Sequence, residues 1–233
     1  MKKDVLDHGY VRLVDQLGND LSIVNAARVS YDKESTEFSL KDAGLLAFLI
    51  REGHTSPFRH AALTFEVYAP LFVARQWWKY AVASSHVEEQ LGWNESSRRY
   101  ITEQEEFYVP DTLGWRSKPE NSKQGSGAPL DMDKGMTLTA DLMYHIDKGV
   151  EKYQQAMEIG VAPELARLFL PAYGMYVRWR WTASLQAVMT FLQQRLGHDA
   201  QVEIQDYAKA VYALTYQAFP NSVTALEAFK NDN

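Results

Sequence analysis

Two short stretches of the chain concentrate groups able to bind anions and steer charge. The first is Ala74-Arg75-Gln76-Trp77-Trp78-Lys79-Tyr80, and the second is Trp93-Asn94-Glu95-Ser96-Ser97-Arg98-Arg99-Tyr100. On a helix, Arg75 and Lys79 stand one turn apart, and Gln76 falls three residues before Lys79, setting an amide beside an ammonium. A helix whose tryptophans enter the core while Arg and Lys reach back to solvent accounts for the same pattern without any chemistry. The second stretch follows Glu95 with two hydroxyls and two guanidiniums. Such donors suit a phosphate, while a carboxylate or amide reads a sugar or a base edge. A solvated arginine pair, with Asn94 and the serines shaping a turn, is the structural alternative.

Two further arginines stand alone. Arg167 follows Pro163-Glu164-Leu165-Ala166 near the start of a short helix. An ion pair with Glu164 three residues back would explain it, at about 0.2–0.5 kcal/mol. Arg195 closes a well-patterned helix, where a cation meets the negative end of the helix dipole. The histidines His54, His60, His86, His145 and His198 show neither H-x-x-x-H nor H-E-x-x-H spacing, so no metal site is expected. There is no G-x-G-x-x-G, no Walker loop and no G-x-S-x-G. A Rossmann dinucleotide fingerprint and serine hydrolase chemistry therefore lack support.

Composition narrows the field further. The 233 residues contain no cysteine, which removes disulfides, thiolate zinc sites and any thiol nucleophile. A formal charge of −6 argues against a nucleic-acid partner, although a few local arginines suffice for one phosphate. No apolar run approaches the roughly 20 residues of a membrane helix, and the opening Met1-Lys2-Lys3-Asp4 lacks a signal-peptide core. A cytoplasmic protein without membrane association is expected.

The elements that must position these groups follow from periodicity. Alternation over 10–16 predicts a strand. Asp20 or Ser22 can cap a helix running through Val29. Ala43, Leu46, Ala47 and Ile50 mark a helix over 40–52, ended by Gly53. A polar loop over 54–60 precedes a strand over 63–68, and Pro70 opens a helix over 71–84. Gly, Ser, Pro, Asn and Lys over 117–133 predict an exposed loop or insertion. Helices are expected over 136–160, 163–170, 184–195 and 201–218, with a strand over 175–181. In the helix over 184–195, Leu185, Val188, Met189 and Leu192 form one apolar stripe, leaving Gln186, Thr190, Gln193 and Gln194 off it. The chain reads as a single α+β domain over 1–233, with a small mixed or antiparallel sheet and several helices.

The order of these segments resembles the flavin-dependent thymidylate synthase family across most of the chain. The pieces carrying the resemblance are Asn25-Ala26-Ala27-Arg28-Val29-Ser30-Tyr31, Gly53-His54-Thr55-Ser56-Pro57-Phe58-Arg59-His60, Phe72-Val73-Ala74-Arg75-Gln76-Trp77 and Asn94-Glu95-Ser96-Ser97-Arg98-Arg99-Tyr100. Glu164-Leu165-Ala166-Arg167-Leu168-Phe169-Leu170-Pro171 and Ala200-Gln201-Val202-Glu203-Ile204-Gln205 complete it. The chain departs from the family's Arg-His-Arg signature, placing Lys79-Tyr80-Ala81 there, with a longer spacing to Ser97 that includes His86.

The resemblance implies a reductive methylation of dUMP to dTMP, with FAD as cofactor and methylenetetrahydrofolate and NADPH as co-substrates. It implies a dUMP set of Gln76, Lys79, Glu95, Ser96, Ser97, Arg98, Arg99 and Arg167, and Arg195 as the catalytic cation against the pyrimidine. It places Ser30, His54, Ser56, Lys79, Tyr80, Ala81 and Glu95 at flavin positions. Ser184, Gln186 and Thr190 stand where the family shows Asn, Arg and Asn, and His86 is a candidate to compensate on the flavin side. A homotetramer with shared active sites is implied too, consistent with a sequence that suggests no self-contained pocket. The altered signature also leaves open a deoxypyrimidine nucleotide hydroxymethylase, or an inactive nucleotide- or flavin-binding oligomer.

Overall fold

The computed structural model describes residues 1–81, 93–95, 105–119 and 125–231. Five strands form one antiparallel sheet in the order β1-β2-β3-β5-β4: β1 Lys2–Val5, β2 Gly9–Leu17, β3 Ala62–Pro70, β4 Trp93–Glu95 and β5 Tyr176–Ser184. The two central strands pair over their whole length, from Ala62 opposite Ser184 to Pro70 opposite Tyr176. Alternation does the sorting. Leu63, Phe65 and Val67 on β3, with Trp179, Trp181 and Ala183 on β5, go into the core. Thr64, Glu66, Arg178 and Arg180 take the other face.

The helices are α1 Asp20–Arg28, α2 Leu40–Arg51, α3 Leu71–Trp77, α4 Met132–Glu158, α5 Pro163–Ala166, α6 Leu185–Arg195, α7 Val202–Ala218 and α8 Pro220–Asn231. The core side of the sheet is covered by α3, α6 and α7, while α8 packs on α2 and α7. At the centre lies Trp77, fully buried, stacked on Phe191 at 4.5 Å and meeting Trp179 and Trp181 edge-on at 5.6 and 5.4 Å. This is the expected inward tryptophan. Its neighbour Trp78 is only partly buried against the same core.

Several expectations need correction. The cap of α1 is Asn19, in a reciprocal capping box with Ser22. Asp20 is instead turned to the N-terminus of α8, an element the periodicity did not announce. There its carboxylate accepts from the Asn221 and Ser222 amides at 2.9 and 3.0 Å, from Asn221 Nδ2 at 3.0 Å and from Ser222 Oγ at 2.5 Å. Orphan amides at a helix start make that the favourable place for a carboxylate. The span 54–60 is not simply a polar loop: a 3-10 turn, Ser56–His60, buries Pro57 and Phe58. Helix α3 starts at Leu71 after Pro70 as expected, but passes after Trp77 into a 3-10 turn, Trp78–Ala81. The remainder of the helix expected over 71–84 lies outside the described residues.

The loop expected over 117–133 ends at Asp131, which caps α4, and a bridge between Arg116 and Pro129 closes its base. The helical span expected over 163–170 is one turn of α5 followed by a 3-10 turn, Arg167–Phe169. That turn lies against α4 at Gly149. A Cβ there would stand 2.8 Å from the Phe169 carbonyl, so glycine permits the contact.

Replacing Asp20 by Ala leaves the Asn221 and Ser222 donors without their acceptor and should cost about 2–3 kcal/mol. Chemical denaturation of the variant beside wild type measures this; an unchanged midpoint would remove Asp20 from the α8 anchor. A second prediction concerns alkaline pH. Burial pushes the phenols of Tyr176 and Tyr207 well above the ordinary tyrosine range. Unfolded tyrosines ionise near about pH 10, so above that the unfolded state binds fewer protons than the native one, and stability falls as pH rises. Exposed tyrosines such as Tyr31 and Tyr144 should ionise first, and a further step in tyrosinate absorbance from the buried pair should coincide with loss of the fold measured by circular dichroism.

Candidate active site

Helix α6 is the support on which the candidate residues meet. Its apolar stripe, Leu185, Val188, Met189 and Leu192, is buried as expected. The Ser184 hydroxyl accepts from the Ala187 amide at 3.2 Å and is thus committed to capping the helix. At the other end, Arg195 is the last helical residue. Its guanidinium lies over the Tyr80 ring, 5.4 Å from the centroid. The Tyr80 hydroxyl donates to Gln194 Oε1 at 2.5 Å, and the ring stands edge-on to Phe191 at 5.1 Å. The Tyr80 carbonyl accepts from the Trp181 indole at 3.2 Å. Tyr80 is therefore held by backbone, ring and hydroxyl, and is only 6% exposed.

Lys79 completes the cluster, its ammonium 5.7 Å from the same ring. The Lys79 side chain stays largely open to solvent. Packing around it, and secondarily the Arg195 charge, hold its pKa below the ordinary lysine value. Burial raises the Tyr80 phenol, while the neighbouring Arg195 charge and hydrogen bond pull the other way. Among the described residues, the buried Arg195 Nε has no hydrogen-bond partner. A buried guanidinium N–H without an acceptor is costly, and such sites are where ligands with acceptor oxygens bind.

Gln76 is held by a residue distant in sequence. Its Nε2 donates to Gln201 Oε1 at 2.6 Å, at the start of α7. Gln201 in turn borders a cavity of about 730 Å³ walled by Phe72, Tyr108, Trp115 and the Arg116–Glu203 ion pair, among others. The expectation of no self-contained pocket is thus corrected, but among the described residues none of those assigned to substrate or flavin above lines this cavity. Arg167 is exposed and donates from Nε to the Glu164 carbonyl at 3.1 Å, in place of the expected side-chain ion pair.

The flavin positions fall on adjoining elements. Ser30 is exposed in the turn after α1, and His54 and Ser56 are exposed beside the Ser56–His60 turn, which packs against α1 and α6. Arg59 on that turn donates to Gln186 Oε1 at 2.6 Å. Thr190 is turned back on its own helix, donating to the Gln186 carbonyl at 3.0 Å. Ala81 ends the turn that carries Lys79 and Tyr80. The backbone of Glu95 pairs with Trp179 in β4. Ser96, Ser97, Arg98, Arg99 and His86 lie outside the described residues. Sequence reading overlooked Gln194 and Arg59, both polar residues beside a chosen position. The only available signal was that Gln194 sits off the apolar stripe, directly before Arg195.

Residues 12–221 match the family model described as thymidylate synthase complementing protein. A flavin-dependent thymidylate synthase of Thermus thermophilus is 39% identical over 223 residues, covering 96% of this chain and 77% of that one. One from Thermotoga neapolitana is 38% identical over 229 residues, covering 94% of each. Among solved structures, a UMP/dUMP methylase, PolB, from Streptomyces cacaoi bound with 5-Br dUMP superposes with a TM-score of 0.81 at 29% identity. That match covers 97% of this chain and 98% of the other.

The Lys79–Arg195 proximity makes its own prediction. Substituting Arg195 by Ala removes the nearby like charge and should move the Lys79 titration upward, toward an ordinary lysine, while the part due to packing remains. NMR of the Lys79 ε-methylene as a function of pH reads this directly. A titration that does not move would show that the two cations are uncoupled.

Proposed function

This chain belongs to the flavin-dependent thymidylate synthases, and we propose from that premise that its dUMP site is assembled around the Arg195 guanidinium at the end of α6. The reaction is the reductive methylation of dUMP to dTMP, with FAD as cofactor and methylenetetrahydrofolate and NADPH as co-substrates. The observation that carries the site is the buried Arg195 Nε, which has no acceptor among the described residues and lies near Lys79. A pyrimidine nucleotide brings carbonyl oxygens and a phosphate, which are the acceptors such a pair lacks.

The chain holds no cysteine, so C5 of the pyrimidine cannot be activated by thiol addition from this protein. Activation falls to electrostatics. A guanidinium already fixed over Tyr80 stabilises the negative charge that develops on the ring carbonyl side, without having to reorganise as the reaction proceeds. Gln76, anchored to Gln201, offers a second orienting amide. Arg167 serves the phosphate together with Ser96, Ser97, Arg98 and Arg99, and Glu95 orients the nucleotide.

The donor set fits a flavin dinucleotide, whose ring carbonyls and pyrophosphate are acceptors. His54, Ser56 and Arg59 are exposed near α6, and Lys79 supplies a cation at its far end. When bound, FAD supplies the hydride that completes the methyl group. Lys79 presents a single point charge where an arginine would present a fork, and so positions a carbonyl less strictly. Ser184 and Thr190 contribute through the shape of α6, since their hydroxyls are used within the helix.

The assembly is a homotetramer with shared sites, and the location is the cytoplasm. Exposure of Arg167 supports its delivery to a neighbouring copy, as does the exposed apolar series Met136, Met143, Tyr144, Leu168 and Phe169. None of the described helices is long and apolar enough to cross a membrane. Relatives named as thymidylate synthases and a dUMP methylase favour methylation over hydroxymethylation or a purely binding role.

Purified protein should carry a flavin spectrum, or acquire one on titration with FAD, and should release tritium from C5-labelled dUMP while forming dTMP. Arg195→Ala should lower kcat by about 10²–10³-fold while flavin binding persists. Absence of flavin uptake would refute the enzyme reading, and a hydroxymethylated nucleotide product would replace it with the alternative chemistry.

A further inference from the structure

We infer that Tyr80 and Gln194 form a positioning clamp for Arg195, so that the residue in the middle of the altered Lys79-Tyr80-Ala81 segment acts on the nucleotide side of the site through Arg195. The inference rests on the role of Arg195 proposed above.

The geometry is specific. Arg195 lies over the ring face at 5.4 Å, within the range at which a cation is attracted to an aromatic quadrupole. The phenol has two partners. Its hydroxyl donates to Gln194 Oε1 at 2.5 Å, while its ring face receives the Arg195 guanidinium. Gln194 and Arg195 are consecutive at the end of α6, so one phenol ties down both last residues of the helix. The ring itself cannot swing. It abuts Phe191 edge-on at 5.1 Å, and its backbone carbonyl is tied to Trp181 at 3.2 Å. A helix C-terminus ordinarily frays, and a long side chain there samples many rotamers. Here the chain end is pinned, and the guanidinium is offered to a ligand with Nε unpaired among the described residues.

The surroundings support an aiming role over a purely structural one. Three arginines of the described structure are fixed by carboxylates, Arg12 on Glu66 at 2.8 Å, Arg28 on Asp42 at 2.5 Å and Arg116 on Glu203, while Arg59 and Arg167 rest on an amide and a backbone carbonyl oxygen. A carboxylate would neutralise the charge that the reaction needs. A phenol and an aromatic face hold a guanidinium without cancelling it. Gln194 is a neutral anchor for the same reason, and its exposed side chain contributes nothing to the core. Lys79 next door adds a second positive charge that a carboxylate clamp would also have attracted.

The test uses the FAD-loaded protein with dUMP as probe. Gln194→Leu and Tyr80→Phe each remove the hydroxyl–amide bond, and kcat should fall about threefold in both. Because they break the same bond, the double variant should lose no more than either alone. Tyr80→Leu, which also removes the ring face, should lower kcat about tenfold. FAD affinity, read from flavin fluorescence, should stay within about twofold of wild type throughout. In an Arg195→Ala background, Tyr80→Leu should leave dUMP affinity where Arg195→Ala alone put it. The ¹⁵Nε resonance of Arg195 should shift in Tyr80→Phe. Additive losses in the double variant would overturn the clamp. So would equal effects of Tyr80→Leu with and without Arg195, or a collapse of FAD affinity with the nucleotide side intact. If Tyr80→Leu fails to fold, the two milder variants and their cycle decide the matter alone. An Arg195→Ala protein with normal turnover is a different failure, since it would sink the role given to Arg195 itself.

Discussion

The stack of Trp77 on Phe191, 4.5 Å between ring centres, is the contact on which the site depends. Trp77 ends α3, and Lys79 and Tyr80 follow within three residues. Phe191 lies one helical turn before Arg195 on α6. One buried aromatic contact therefore sets how far the two arms of the site can stand apart. Trp179 and Trp181 of the central strand close over the same ring, so the arms are referenced to the sheet as well. Densely packed aromatic cores deform little, and that stiffness reaches the guanidinium over Tyr80 within a few bonds.

The electrostatics follow a consistent division. The chain carries a formal charge of −6, and its structural arginines are tied to carboxylates on the sheet face, between α1 and α2, and at the mouth of the cavity. Glu66 takes Arg12 on one side and Tyr10 on the other, an arrangement that holds its pKa below the ordinary glutamate value despite burial. At the end of α6 the pattern reverses. Lys79 and Arg195 both lie within about 6 Å of one neutral aromatic ring, that of Tyr80, at 5.7 and 5.4 Å. Like charges held together cost stability, and such a cost is tolerated where a ligand of opposite charge will repay it.

Much of the framework was legible in the residues. The strands over 10–16 and 63–68 and the helices over 40–52, 184–195 and 201–218 appear within a few residues of their expected limits, because each has a clean period and a recognisable stop. The misses have physical causes. Strand β1 is mostly exposed and short, so it has no apolar alternation to read. Helix α8 starts directly after the α7 cap, and its anchor is Asp20, some two hundred positions earlier. Met132 and Asp133 sit in a polar tract that looks like loop until the Asp131 cap turns it into helix.

What the sequence determined by itself was the chemical repertoire: no thiol, a small set of cations, and the segment order that marks the family. It also determined which faces of α6 are apolar, since that follows from the repeat alone. Which polar groups meet was decided only by the tertiary structure. Tyr80 bonds Gln194 across 114 positions, Gln76 bonds Gln201 across 125, and Arg59 bonds Gln186 across 127. Local spacing had set Arg167 beside the Glu164 carboxylate, but it takes that residue's backbone carbonyl, and the partner of Gln76 at the start of α7 lay beyond any local spacing. Helical spacing constrains only neighbours on one element, whereas the partner of a side chain at an element's end depends on how α3, α6 and α7 stack against the sheet.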